Sequence, residues 1–126
     1  MARPRKEKPI EKPFEGNLED LIIQSLIEKK GIDIIHIDLK QINHVFFDSF
    51  IICSGSSKTH VETLSEFLRE NVKKNARIIP SYMEGKSNGE WILVDYFNII
   101  VHIFQEETRE YYNIEKLWSD APIQQF

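Results

Sequence analysis

The sequence predicts a single α/β domain of the α+β kind, in which helices flank a mixed sheet of five strands. Segments rich in Ile and Val alternate with segments whose apolar residues have the spacing of a helix. In chain order they predict a helix, two strands, a helix, three strands and a helix, which is typical of layered α/β or α+β domains. A length of 126 residues with a hydrophobic share of 41% suits one core.

The first half of the chain carries clear signals for its helices and strands. Asn17 suits the N-cap of the first helix, and Gly31 suits its end. Val61, Leu64 and Leu68 keep the helical spacing of the second helix. The predicted helix, two β-branched strands and second helix occupy residues 17–30, 32–39, 49–54 and 58–74.

The second half predicts three strands and a helix rich in aromatic residues. Gly85 and Gly89 mark a loop between the first two of these strands. The helix should begin near Glu106 and break near Asn113, and the ordered chain should end at residues 121–122. The three predicted strands are residues 77–82, 91–96 and 98–104.

The chain divides into a tail, a domain and a second, short tail. Residues 1–16 hold five basic residues, three acidic residues and three Pro, which predicts a disordered basic tail. Residues 17–122 form the predicted domain, and residues 123–126 follow as a C-terminal tail. We expect no membrane association, because no run approaches the roughly 20 apolar residues of a membrane helix, and no secretory signal is visible.

The net charge argues against nucleic-acid binding, and the cysteine content indicates the redox compartment. The net charge is −4, whereas binding to nucleic-acid phosphates needs clustered Lys and Arg. We therefore expect no direct sequence-specific contact with nucleic acid. Cys53 is the only cysteine, which excludes an intramolecular disulfide and fits a reducing compartment. It ends an apolar run and should be a small buried hydrophobe.

The Ser-Gly-Ser-Ser turn at residues 54–57 has two interpretations. Backbone N–H groups at a helix N-terminus can bind phosphate, so one interpretation is a nucleotide-binding enzyme of the nucleotidyltransferase type that uses Gly55 and Ser56. The turn lacks the Gly and Lys spacing of phosphate-binding motifs, and no Asp-x-Asp pair for a metal follows Gly55. A tight turn with a serine cap is the favoured interpretation. The four His lack metal-ligand spacing, so we expect no metal, cofactor or catalytic residue.

The strand beginning at Trp91 carries the strongest functional signal. Trp91, Leu93 and Asp95 share one face of it, and Ile92 and Val94 share the other. If helices cover Ile92 and Val94, then Trp91 and Leu93 form an exposed apolar patch, which marks association. Since aromatic anchors are favoured at protein–protein contacts, the pattern favours a binding protein over an enzyme. The alternative is that Trp91 is a core residue and Asp95 caps a turn.

Three segments, taken in this order and spacing, resemble the Iojap-like ribosomal silencing factor family. They are DSFIICSGSSKTHVETL at residues 48–64, the Glu84-Gly85 loop followed by WILVDYFNIIVHIF, and EETREYYNIEKLWSDAP at residues 106–122. With the first helix and strand, the likeness covers residues 17–122. It implies a domain related in shape to nucleotidyltransferases but without their catalytic carboxylates.

The resemblance also implies a function. It implies a cytoplasmic factor, often homodimeric, that binds the large ribosomal subunit through its fourteenth protein. Such a factor blocks association with the small subunit and represses translation when nutrients are scarce. The implied partner-binding residues are Trp91, Val94, Asp95 and Tyr96 of the strand, Glu84 and Gly85 of the loop before it, and Arg109, Tyr112, Glu115 and Trp118 of the last helix. Which residues of that helix support the fold, and which touch a partner, stays open.

One departure from the family concerns the hairpin turn. The family usually has Gly-Asp where this chain has Phe97-Asn98. Gly adopts positive φ at little cost, whereas Phe does so poorly. The turn geometry is therefore open, and so is a contact made by Phe97 itself. A homodimeric scaffold with a different partner is a third interpretation of the chain.

Overall fold

The computed structural model describes residues 16–42 and 45–126, and it confirms a single α+β domain. Its elements are α1 (Leu18–Glu28), β1 (Ile32–Asp38), β2 (Ser49–Gly55), α2 (Lys58–Ala76), β3 (Tyr82–Glu84), β4 (Trp91–Asp95), β5 (Ile99–Gln105), α3 (Glu106–Tyr112), a 3₁₀ helix (Ile114–Trp118) and β6 (Ile123–Gln125). The predicted basic tail, except for Gly16, lies outside the described residues.

The strands form one mixed sheet in the order β3-β4-β5-β2-β1-β6. Only the β2–β5 pair is parallel among these neighbours. β3 therefore runs in the same direction as β2, with β4 and β5 between them. In the β4–β5 pair, Trp91 lies opposite Phe104 and Asp95 lies opposite Ile100. We call these two limits the Trp91 end and the Asp95 end of the sheet.

The third strand begins later than the sequence predicts. The expected strand was 77–82, whereas β3 begins at Tyr82. Arg77 has a left-handed backbone, with φ of 56°, and its N–H closes the last turn of α2. Pro80 has no N–H to give to a strand ladder. The apolar pair at residues 78–79 therefore belongs to the connection between α2 and β3. The sheet has six strands where five are predicted, because a strand also forms near the C-terminus.

That sixth strand corrects the predicted C-terminal tail. Residues 123–126 were expected to follow the ordered domain, but Ile123–Gln125 pairs antiparallel with β1. The Asp38 N–H donates to the Pro122 carbonyl at 2.9 Å, and the Phe126 N–H donates to the Ile34 carbonyl at 2.9 Å. The ordered chain thus extends beyond residues 121–122.

One face of the sheet packs against α1 and α2. Apolar residues recur at helical spacing on both helices, and alternate residues of the strands point towards them. This core is almost entirely aliphatic, and its buried members include Leu21, Ile22, Leu26, Ile51, Val61, Leu64, Leu68, Ile92, Val94 and Ile103. It fixes the register of β4, because a slip of one residue would move Ile92 and Val94 to the opposite face.

The opposite face, which we call the outer face, is covered by irregular chain. We call residues 113–126 the C-terminal strap: its first part packs over this face as far as Ala121, and its last residues join the edge of the sheet as β6. Trp118 of the strap packs edge-on against Phe50 of β2, with ring centroids 5.7 Å apart, and Ala121 is buried beside them. Beyond the strap, the outer face stays partly open around Trp91.

Candidate partner-binding surface

The alternation of β4 sets the candidate surface. Ile92 and Val94 are fully buried against the helices, whereas Trp91 and Leu93 are only half-buried on the outer face. The condition stated from the sequence is therefore met, and Trp91 and Leu93 form an apolar patch beyond the edge of the strap. Trp91 is also packed on one side, so it belongs in part to the outer core.

The indole of Trp91 is held by three neighbouring rings. Its centroid lies 4.7 Å from that of Phe104, 5.0 Å from that of Tyr112 and 5.8 Å from that of His102. Its Nε1–H donates a hydrogen bond of 3.1 Å to Nδ1 of His102. One side of the ring thus rests on β5, while Tyr112 of α3 borders it on another.

His102 is a partnered histidine of the outer core. It is 5% exposed, and this burial lowers the pKa of His102 to about 4. Because an indole N–H can only donate, Nδ1 must be unprotonated and the proton of the neutral ring sits on Nε2. Among the residues that the structure describes, Nε2 has no hydrogen-bond partner.

A shallow groove runs beside Trp91, between the β3–β4 loop and α3. It brings together four of the predicted site residues, Leu93 of the predicted apolar patch and three residues that the sequence did not single out. The lining residues are Glu84, Gly85, Asn88, Glu90, Trp91, Leu93, Thr108 and Tyr112. Its floor is apolar and aromatic, and the exposed carboxylates of Glu84 and Glu90 make its rim acidic. The helical spacing of Thr108 and Tyr112 is the signal that would have joined Thr108 to the site.

Gly85 shapes the loop at the edge of this groove. Its φ is +96°, and a Cβ added there would lie 2.0 Å from the Trp91 carbonyl oxygen. Both the left-handed backbone and the close approach therefore require glycine. The expected role of Gly85 as a contact becomes a role in positioning the chain next to Trp91.

Two predicted contact residues are not on this surface. Val94 is fully buried and Tyr96 is 1% exposed, and both belong to the core beneath the helices. Burial raises the pKa of the Tyr96 hydroxyl above its usual range. The alternation of β4 explains the correction, because Val94 and Tyr96 point away from the face of Trp91. Their side chains cannot reach a partner on the outer face.

Asp95 takes its alternative role as a turn residue. Its Oδ1 accepts the Phe97 N–H at 2.7 Å, which is the local bond that Asp favours in turns. Phe97 adopts φ of +72° and remains 71% exposed. The departure from Gly at this turn is thus accommodated by a strained Phe backbone with the Asp95 carboxylate beside it. Asp95 lies at the opposite end of β4 from Trp91.

Arg109 and Glu115 fasten the strap to the sheet. Arg109 Nε donates to Glu115 Oε1 at 2.6 Å, and the Arg109 side chain is 11% exposed. Its Nη1 donates to the Asp33 carbonyl at 2.8 Å and to Ser54 Oγ at 3.0 Å. Asp33 sits in an irregularity of β1 with φ of +49°, where its carbonyl is free for a side-chain donor. These two predicted contact residues therefore support the fold.

The remaining residues of the last helix divide between fold and surface. Trp118 is half-buried on Phe50 and helps to hold the strap. Tyr112 is 53% exposed and borders Trp91. Asn113, where the sequence predicts the break in the helix, has a left-handed backbone with φ of 46°. The break turns the chain from α3 into the strap and leaves Tyr112 at the edge of the groove.

The Ser-Gly-Ser turn is a tight capped turn, the interpretation that the sequence favours. A Cβ on Gly55 would lie 2.9 Å from the Val61 nitrogen, so the strand and helix pack too closely for a side chain. Ser57 caps α2 by accepting the His60 N–H at 3.0 Å. The Ser56 N–H, which a phosphate would need, donates to Nδ1 of His60 at 2.9 Å. The geometry gives no support to a phosphate site at this turn.

Cys53 and the acidic residues show no arrangement for chemistry in the described part of the chain. Cys53 is fully buried, and burial raises the pKa of its thiol to about 12, so it carries no reactive thiolate. Within residues 16–42 and 45–126, no three His, Cys, Asp or Glu side chains are grouped to hold a metal ion. No helix in those ranges is both long enough and apolar enough to cross a membrane.

Comparison with known proteins identifies the family. The profile of a family described as "Ribosomal silencing factor during starvation" matches residues 15–126. The "Ribosomal silencing factor RsfS" of Bacillus subtilis is 38% identical over 96 residues, which cover 76% of this chain and 80% of that protein. The protein of the same name from Haemophilus influenzae is 37% identical, over 81% of this chain and 98% of its own length.

A solved structure has the same fold. A crystal structure of a protein from Chromobacterium violaceum superposes with a TM-score of 0.76 at 33% identity, and the match covers 81% of this chain and 83% of the other. The match of the family profile spans every element from α1 to β6, including the β3–β4 loop, α3 and the strap that build the groove. The chain therefore belongs to the family of ribosomal silencing factors.

Proposed function

We propose that this protein binds the large ribosomal subunit through its fourteenth protein and blocks association with the small subunit, which represses translation under nutrient limitation. The observation that carries the proposal is the groove at Trp91, an aromatic surface with an acidic rim in a chain of the silencing factor family. No chemical step is required, because occupancy of the joining face is enough to prevent association.

The chemistry of the groove suits a basic protein partner. Trp91 and Tyr112 offer aromatic rings on a supported surface, and such rings are frequent hot spots of binding. Glu84 and Glu90 add negative charge at the rim, where charge complementarity speeds encounter and rejects wrong partners. A ribosomal protein that exposes Lys or Arg beside an apolar patch would match both features.

Two further properties belong to the same proposal. We infer a cytoplasmic location, since the large subunit is found there. We also infer that the protein forms a homodimer, as the family resemblance implies, and sedimentation equilibrium of the free protein measures this directly. A monomer at every concentration that is tested would remove the homodimer and leave the ribosomal proposal intact.

The decisive experiment is co-sedimentation with purified large and small subunits. We expect the wild-type protein to pellet with the large subunit only. Trp91→Ala should weaken this binding by on the order of 2 kcal/mol or more, the range of a hot spot, and Tyr112→Ala should weaken it less. Phe46→Ala is a matched control, because Phe46 is an aromatic residue that is 93% exposed at the Asp95 end of the sheet.

The partner and the consequence need separate assays. Purified fourteenth protein should bind the wild type and compete with the large subunit for it. Subunit association, followed by light scattering, should fall as the protein is added and recover with Trp91→Ala. Wild-type protein that pellets with neither subunit would overturn the proposal, and binding that Trp91→Ala and Tyr112→Ala leave unchanged would move the site elsewhere.

A further inference from the structure

We propose that His102 is a positioning residue, which holds the indole of Trp91 in the orientation that the partner contacts. The link is the hydrogen bond of 3.1 Å from Trp91 Nε1–H to His102 Nδ1. This inference rests on the proposed function, since Trp91 is the anchor of the surface proposed there. His102 itself is buried, so its proposed role is exerted through Trp91.

His102 is a fixed acceptor because its own ring is locked. The ring of Phe50 meets it edge-on with centroids 4.8 Å apart, and the ring of Phe104 lies nearly parallel to it at 6.1 Å. Its backbone lies within β5, between β4 and β2, opposite Leu93 and Ile52. With the side chain closed in on these sides, Nδ1 has one place in which to receive a hydrogen bond.

Trp91, in contrast, is only half-enclosed. It is the first residue of β4, and its ring rests on Phe104 while the groove lies open beside it. Its other aromatic neighbour, Tyr112, is 53% exposed on a seven-residue helix. Packing therefore supports the indole on one side only, and the bond to a locked acceptor restricts its orientation further before binding. A preorganised anchor loses less conformational entropy on association.

The hydrogen bond from Trp91 to His102 also satisfies a donor that a partner would cover. A partner that covers Trp91 takes water away from its N–H, and a covered donor without an acceptor costs binding free energy. His102 Nδ1 satisfies this donor from within the protein, so the partner needs no acceptor at that point. The surface can then bind through the apolar face of the indole alone.

The test compares two variants of His102 that differ in the acceptor. His102→Leu replaces the imidazole with an apolar side chain of similar size and so removes the acceptor. His102→Asn restores it, since the Asn Oδ1 lies about as far along the side chain as Nδ1 of His. We expect His102→Leu to weaken binding to the large subunit by about tenfold, the upper end of what one hydrogen bond contributes, and His102→Asn to recover most of that loss.

The free protein supplies a readout that a packing role would not move. In wild type and His102→Asn, the indole ¹H–¹⁵N signal of Trp91 should carry the shift of a hydrogen-bonded N–H, and in His102→Leu it should lose it. A Trp91→Phe background removes the donor, so adding His102→Leu to it should cost little further affinity. Thermal unfolding of each variant separates these effects from lost stability.

The outcomes are decisive in both directions. Wild-type affinity in a folded His102→Leu protein would overturn the inference, as would equal weakening by the Leu and Asn variants, since packing would then explain the loss. Wild-type protein that binds no subunit would overturn the proposed function and the binding role of His102 with it. The indole signal would in that case still decide whether His102 orients Trp91 in the free protein.

Discussion

The two faces of the sheet are built from different side chains and covered in different ways. Beneath α1 and α2 the core is almost entirely aliphatic, and the two helices of 11 and 19 residues pack over it. The outer face carries Phe50, Trp91, His102 and Phe104, and it is covered by a strap that contains only a short 3₁₀ helix and a three-residue strand.

This difference separates stability from recognition. Aliphatic side chains on the helix face bury large apolar areas in many small contacts, which suits a core. The rings on the outer face meet edge-on, tilted or nearly parallel and bring a hydrogen bond with them, which gives a surface of defined shape. Because the strap leaves the Trp91 end open, that shape is available to a partner.

The largest expected effect comes from the helix face. Leu64 is buried between α2 and the sheet, so Leu64→Ala should lower the free energy of unfolding by about 3 kcal/mol, as large-to-small core changes do. Urea denaturation measures the loss, and the folded fraction should bind the large subunit with wild-type affinity. Tyr112→Ala on the outer face should show the reverse, with lower affinity and nearly unchanged stability. If both variants lost affinity equally, the two faces would not divide stability from recognition.

The next effect tests how the strap is attached. Arg109→Met keeps an unbranched side chain that reaches only as far as the position of Nε, and it leaves Glu115 and the Asp33 carbonyl without their donor. We expect unfolding to become easier by about 2 kcal/mol, and hydrogen exchange to speed up first in β6 and at the start of the strap. Arg69→Met is the control, since Arg69 makes ion pairs with Glu66 and Glu70 among partly exposed side chains of α2 and should cost less than about 1 kcal/mol. Uniform exchange across the whole sheet would show that the strap does not open separately.

Acid should weaken the outer face through His102. Burial lowers the pKa of His102 from its usual 6.5 to about 4, so between these values the unfolded chain binds a proton that the folded chain does not. Stability is therefore fully present above pH 6.5 and falls as the pH drops towards 4. The loss between pH 7 and pH 5 should be about 2 kcal/mol, measured by urea denaturation. In His102→Asn, the loss of stability between pH 7 and pH 5 should be smaller than in the wild type by that amount. An equal loss in both proteins would show that other groups are responsible.

Sequence patterns foresaw most of the helix face, because period decides which residues are buried there. The spacing of Val61, Leu64 and Leu68 placed α2, and the alternation of β4 placed Ile92 and Val94 in the core. The same alternation excluded Val94 and Tyr96 from the surface, although the resemblance had implied them as contacts. At those two positions, burial follows the alternation along the strand and not the pattern of the family.

The outer face was harder to foresee, because its contacts join distant parts of the chain. Arg109 reaches carbonyl and hydroxyl groups of β1 and β2 that lie 55 to 77 residues away, and no local spacing announces such a bond. The three residues of β6 have no strand pattern of their own. They form a strand because the preceding part of the strap places them beside the free edge of β1. Of the predicted site, Trp91, Tyr112, Glu84 and Gly85 meet at one groove, whereas Arg109 and Glu115 serve the fold.

The smallest effect concerns the Asp95 end, where Phe97 holds a left-handed backbone with φ of +72°. Since that conformation costs a non-glycine residue roughly 1 kcal/mol, Phe97→Gly should raise the free energy of unfolding by up to about that amount, less the entropy that Gly loses on folding. Phe97→Ala keeps the strain and removes the ring, so it should bring no such gain. Urea denaturation of the pair isolates the backbone term.

The same pair of variants locates the limit of the binding surface. Phe97 lies at the opposite end of β4 from Trp91, so a partner seated in the groove at Trp91 need not reach it, and we expect both variants to bind the large subunit as the wild type does. If both lose affinity equally, while only Phe97→Gly gains stability, the ring contacts the partner and the surface spans the length of β4. The strained turn would then persist because it exposes an aromatic contact that a Gly would lack.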